Sequence, residues 1–76
     1  MEALLKHLVE ALIDQPEELK IERKERANGV VFEIRVAPDD MGKVIGRNGR
    51  RAQAIRQIMK AKGMRSGERV YVDILD

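Results

Sequence analysis

At 76 residues the chain has room for one compact domain and one core. It contains no cysteine for a disulfide, a thiol nucleophile or a thiolate metal site, no apolar run near the roughly 20 residues of a membrane span, and no basic-then-apolar leader after Met1. The net charge of +2 hides a polarised chain: residues 1–41 carry six Lys/Arg against ten Asp/Glu, residues 42–69 carry nine against Glu68 alone, and the last seven add Asp73 and Asp76.

Residues 2–14 have helical spacing, with Leu4, Leu8 and Leu12 in one row and Leu5, Val9 and Ile13 in the next. This wide stripe must be covered, and Pro16 is expected to stop the helix near Asp14. Over 19–26, Leu19 and Ile21 alternate with Lys20 and Glu22 before a run of pure charge, as in an edge strand facing water. Asn28-Gly29 is a favoured pair for a two-residue type I′ hairpin turn. Val30, Phe32, Ile34 and Val36 then alternate with Val31, Glu33 and Arg35, and Pro38 ends this second strand.

Asp39 is expected to cap a short helix over 40–45, and a glycine-punctuated turn fills 46–49. A longer helix follows over 50–62, with Ala52, Ile55, Ile58 and Met59 inward and Gly63 at the C′ position just past its end. After a polar loop at 64–68, Val70, Val72 and Ile74 alternate with Tyr71, Asp73 and Leu75 in a closing strand. The order helix-strand-strand-helix-helix-strand predicts an α+β fold: a three-stranded sheet with three helices on one face.

The segment Gly42-Lys43-Val44-Ile45-Gly46-Arg47-Asn48-Gly49-Arg50-Arg51 carries the chemistry. Glycine allows a sharp turn and removes the Cβ that would hold a phosphate away. The first amides of the following helix have no partner inside it and carry its positive dipole end, a seat for a phosphate. Arg47, Arg50 and Arg51 surround that seat, with Lys43 adjoining. The spacing is not a Walker A loop, since no Gly-Lys-Ser/Thr follows, and not G-x-G-x-x-G. What is specific is Ile-Gly-x-x-Gly between two helices, with basic residues inside and after it.

The run Gly-Lys-Val-Ile-Gly-Arg-Asn-Gly-Arg resembles the signature of KH domains, and the element order resembles their type II arrangement. With its Pro-Asp-Asp-Met-Gly lead-in and Val-Tyr-Val-Asp-Ile ending, the whole chain is similar to the free-standing bacterial KH proteins of the KhpA/YlqC family. The resemblance implies a clamp on about four nucleotides of single-stranded RNA, its backbone held by Gly46, Arg47, Asn48 and Gly49. It also implies an apolar groove for bases. Val44, Ile45 and the helix start at 50–56 would form one wall, and loop 63–67 with strand 68–75 the other, with Arg65 and Arg69 at its rim. Homodimers, or heterodimers with a larger KH-containing protein of the KhpB/Jag type, are implied as well.

The residues themselves favour bland readings elsewhere. Ile45, Ile55 and Phe32 read as core, Gly42 as a point of close helix approach, and His7 as a surface histidine without a partner for metal binding. Asp39 and Asp40 are explained by a helix N-terminus. No nucleophile–base pair or ligand set appears, so the expectation is a non-catalytic, cofactor-free, cytoplasmic RNA-binding protein with no membrane attachment. The alternative is an assembly module that pairs through the first helix stripe or the 19–26 edge. With two aromatics in the chain, base stacking on an aromatic platform is not expected.

Overall fold

The structure, a computed structural model, describes residues 1–75; Asp76 lies outside them. Helix α1 (Glu2–Glu10) is followed by strands β1 (Lys20–Arg26) and β2 (Gly29–Arg35), helices α2 (Met41–Ile45) and α3 (Arg50–Arg65), and strand β3 (Val70–Ile74). The sheet order is β1-β2-β3. β1 and β2 pair antiparallel from Arg26↔Gly29 to Lys20↔Arg35, whereas β2 and β3 run parallel from Val30↔Val70 to Ile34↔Ile74. A parallel pair needs a long crossover, and α2 with α3 supplies it.

Period-2 alternation explains the sheet's two faces. Val30, Phe32, Ile34, Val70 and Val72 face one way and are buried with Leu5, Val9, Val44, Ile55 and Met59 in a single core. Tyr71 points to the other side and is exposed. β1 contributes little apolar surface. Its place at the edge is held by the ladder and by cross-strand pairs such as Lys24–Glu33 at 3.0 Å. The α1 stripe is covered: Leu5 and Val9 are fully buried, and Leu4, Leu8 and Leu12 pack partly buried against them. Among the described residues no helix is long and apolar enough to cross a membrane.

Several boundaries differ from the sequence reading. α1 stops at Glu10, not near Asp14, because the chain must turn so that Ile13 enters the core and the amides of Asp14 and Gln15 reach the Asp40 carboxylate. The hairpin loop is Ala27-Asn28 with Gly29 already paired, and neither loop residue has the positive φ that a type I′ turn requires. Gly29 instead lies where β3 enters the sheet, and the next amide, Val30 N–H, donates to Arg69 O at 2.8 Å. Asp39 is exposed and caps nothing; Asp40 flanks α2, and its side chain turns away from that helix.

α3 runs a turn further than its predicted end at 62, because Gly63 is an interior helical residue and not a C′ residue. A Cβ on Gly63 would stand 2.5 Å from Val70 Cγ2, so this glycine lets α3 lie against β3. Gly42, read as the close-approach glycine, has nothing within 4 Å of such a Cβ. Ile58 is 44% exposed because the buried positions Ala52, Ile55, Met59 and Gly63 form one narrow stripe and Ile58 falls on its flank.

Candidate nucleic-acid interface

The glycine loop joins α2 to α3 through a single turn, Arg47–Gly49. Gly46 sits at φ 76°, ψ 177°, Asn48 at φ 56°, ψ 28°, and Gly49 at φ 73°, ψ 12°. Three positive φ values in four residues are why the loop is written with two glycines and an asparagine, the side chain that best tolerates the left-handed region. Gly46 N–H donates to Gly42 O at 2.9 Å and Gly49 N–H to Gly46 O at 3.2 Å. Arg47 and Asn48 open this turn, so their amides have no acceptor within it, and no side chain caps the turn or the start of α3. Arg47, Asn48 and Arg50 are exposed, and a Cβ on Gly49 would meet open space.

The predicted cations divide into two groups. Arg47 and Arg50 have no partner within the fold among the described residues. Arg51 does: its Nη1 donates to Lys43 O at 2.9 Å, closing the C-terminal end of α2 against α3, and its Cβ lies where a side chain on Gly46 would collide. Lys43 is held by Asp14 through a short ion pair and by Asp40 at 3.4 Å. Asp40 is fully buried and also accepts the amides of Asp14 at 3.1 Å and Gln15 at 3.0 Å. Burial pushes its carboxyl up, but those two amides and the Lys43 ammonium outweigh burial and hold it below the usual value. The Lys43 ammonium is correspondingly raised, first by its bond to Asp14.

Of the other named residues, Val44 is fully buried and supports the loop from within the core, without surface to offer a base. Ile45 is 37% exposed beside the loop, where the sequence suggested core. Arg65 is exposed at the end of α3 and is not among the residues that line a groove between α3 and β3, whereas Arg69 is. That groove has Gln53, Arg56, Gln57 and Lys60 on its helical wall and Arg69, Val70, Tyr71 and Val72 on the strand wall. The glycine loop leads into the same helix, which starts at Arg50, three residues before Gln53, the first residue of the groove wall.

Two residues of this arrangement escaped the sequence reading. The burial of Asp40 was hidden because its partners lie 25 and 26 residues earlier. Arg56 has no role of its own in the sequence reading beyond its charge and its place in the 50–56 wall. The spacing Gln53-Arg56-Gln57-Lys60, a polar row beside the buried row Ala52-Ile55-Met59, was the available signal for it.

Comparison with known proteins agrees with this fold. A family model described as "KhpA/KhpB, KH domain" matches residues 2–74. The chain is 45% identical over 75 residues to the RNA-binding protein KhpA of Oceanobacillus iheyensis, covering 99% of this chain and 100% of that protein. It is also 45% identical over 76 residues to the RNA-binding protein KhpA of Streptomyces coelicolor, covering 100% and 92%. Among solved structures, a variant of Aquifex aeolicus Era bound to GDP and aluminium fluoride superposes with a TM-score of 0.60 at 23% identity. That match covers 93% of this chain and 28% of the Era chain, and at this identity it shows the fold alone.

Proposed function

Since the chain belongs to the KH domain family of KhpA and KhpB, we propose that it binds single-stranded RNA without catalysis. In this reading the glycine loop holds the backbone and the α3–β3 groove receives the bases. The observation that carries it is the exposed loop: an uncapped turn opened by the amides of Arg47 and Asn48, beside two cations the fold does not use, Arg47 and Arg50. An anion is what such a site lacks. The groove beside it is walled by Val70, Val72 and Tyr71 on one side and by amide and cationic side chains on the other, which suits unstacked bases.

We read the role as that of a cytoplasmic regulator or chaperone of RNA; what the relatives' names support is RNA binding itself. A grip on about four nucleotides is weak by itself. Pairing with a second KH chain, another copy or a larger one of the KhpB/Jag type, raises avidity without any new contact.

Fluorescence anisotropy with short labelled single-stranded RNA tests the reading across a salt series. Affinity should fall with salt, with a slope of about −0.7 for each phosphate neutralised, and Arg47→Ala should make that slope shallower by about one contact. Salt-independent binding, or an unchanged slope in Arg47→Ala, removes the loop from the mechanism.

A further inference from the structure

All three α-helices contribute to the one core against Val30, Phe32 and Ile34, so no helix covers the other face of the sheet. Strand register divides that open face into rows. Tyr71 is exposed there, with Val31 beside it on β2 and Lys24 beside Val31 on β1. Two residues along the strands in one direction, Glu22, Glu33 and Asp73 form a row of three carboxylates. Two residues the other way, at the hairpin end, the row is Arg26, Gly29 and Arg69, with no carboxylate. Gly29 carries no side chain, so the two arginines flank open backbone, about 10 Å apart by two strand spacings.

Neither arginine is committed to the fold. Arg69 is exposed and its side chain has no partner among the described residues. Arg26 reaches only the carbonyl of Glu25, its own neighbour, at 3.3 Å. Lys24, one row along, differs, since Glu33 holds it at 3.0 Å. A hollow at the hairpin end is lined by both arginines and Gly29. Its two carboxylates, Glu25 and Glu68, lie 3.4 and 3.8 Å from Arg23, which offsets their charge. Glu68 and Arg69 also line the groove between α3 and β3, so the hollow adjoins the groove at the end far from the glycine loop.

We infer that RNA longer than the grip of about four nucleotides leaves the groove over the start of β3 and is held again on the open face of the sheet, its phosphates at Arg69 and Arg26. The inference rests on the RNA-binding reading and extends it past the groove. An anionic strand emerging at Glu68 and Arg69 is repelled from the middle of the open face by Glu22, Glu33 and Asp73 and drawn along the hairpin end by the two arginines. Each guanidinium offers a fork of donors to phosphate oxygens, and the missing side chain of Gly29 leaves the space between them clear. Such a seat touches no base edge. It adds affinity for longer RNA without adding sequence preference.

Oligouridines of four and eight nucleotides separate the two holds. In an NMR titration of the isotope-labelled protein, both should shift the loop amides of Arg47 and Asn48, and the octamer alone should shift Ala27, Asn28 and Gly29. In anisotropy with the octamer, the slope of log affinity against log salt should become shallower by about 0.7 in Arg26→Gln, the share of one phosphate. Arg26→Lys should restore it. Lys20→Gln removes an equal charge from the same face beyond the carboxylate row and should leave the slope at the wild-type value. Octamer shifts that spare the hairpin overturn the inference and leave RNA binding standing. Hairpin shifts as large with the tetramer place Arg26 in the first grip and overturn the exit path. An unchanged slope in Arg26→Gln, or an equal change in Lys20→Gln, overturns the seat. Loop amides unmoved by either oligomer overturn the RNA-binding reading and this inference with it.

Discussion

The same substitution, glycine to alanine, should have opposite effects at two helical positions, and the structure fixes both signs. At Gly63 a new Cβ would lie 2.5 Å from Val70 Cγ2 and 2.8 Å from Glu68 O, over 1 Å inside ordinary carbon contact for the first. Neither neighbour can yield easily. Val70 is β-branched and stiff at χ1, and Glu68 is tied to the same residue by its own amide, which donates to Gly63 O at 2.8 Å. Overpacking of this kind costs about 1–3 kcal/mol, while replacing a mid-helix glycine returns up to about 1 kcal/mol. The overlap is large, so a net loss of roughly 1–2 kcal/mol is expected for Gly63→Ala. On a domain of this size, whose total stability is about 4–11 kcal/mol, that lowers Tm by roughly 4–16 °C. Gly42 lies in α2 at ordinary helical dihedrals with nothing within 4 Å of a Cβ, so Gly42→Ala should gain about 0.4–1 kcal/mol. Urea titrations with matched m-values read both differences. Shifts in the same direction for the two variants would refute the packing assigned to α3 and β3.

Two further outcomes follow from the loop's supports. The folded-state pKa of Asp40 lies below its ordinary 3.8, so its contribution to stability is present above that value and lost as pH falls through the lower folded one. That of Lys43 lies above 10.5, so its contribution is present below that value and lost as pH rises through the higher folded one. Asp40→Asn should therefore be less stable than wild type at neutral pH, with the gap in urea midpoint closing below about pH 4; a gap independent of acid pH would count against the buried clasp. Arg51→Met should weaken RNA binding with little change in salt slope, because Arg51 braces Lys43 O, in contrast to the shallower slope expected of Arg47→Ala. A slope change in Arg51→Met as large as that in Arg47→Ala would make Arg51 a phosphate contact.

The fold was legible where the signal is local. Val30, Phe32 and Ile34 announce a strand by alternation, Pro38 marks its end, and the order of elements follows from such segments alone. Legibility failed where one residue type serves two purposes. Glycine closes helices by its dihedral freedom and also admits a neighbouring strand by its lack of a side chain. Nothing local distinguishes Gly63 as the second case, and only the structure shows that the helix continues through Met64 and Arg65. Asn28-Gly29 misled in the same way: the glycine serves the entry of β3, and the turn sits one residue earlier.

The site shows the same limit in its charges. Sequence alone places Arg47, Arg50 and Arg51 around the loop with Lys43 adjoining, since a positive residue reads the same whether it faces a ligand or a neighbour. What separates them lies far along the chain. Asp14, at the turn after α1, takes Lys43, and the early stop of α1 exists so that the amides of Asp14 and Gln15 can reach Asp40. Lys43 and Arg51 thus fix the two ends of α2 from opposite sides, and Gly46 to Gly49 is suspended between helices that are already locked. A loop held this way presents its uncapped turn without first being ordered by a ligand, so binding does not bear that entropy cost. Internal use of half the predicted cations is therefore part of how the other half, Arg47 and Arg50, come to stand beside a preformed seat for an anion.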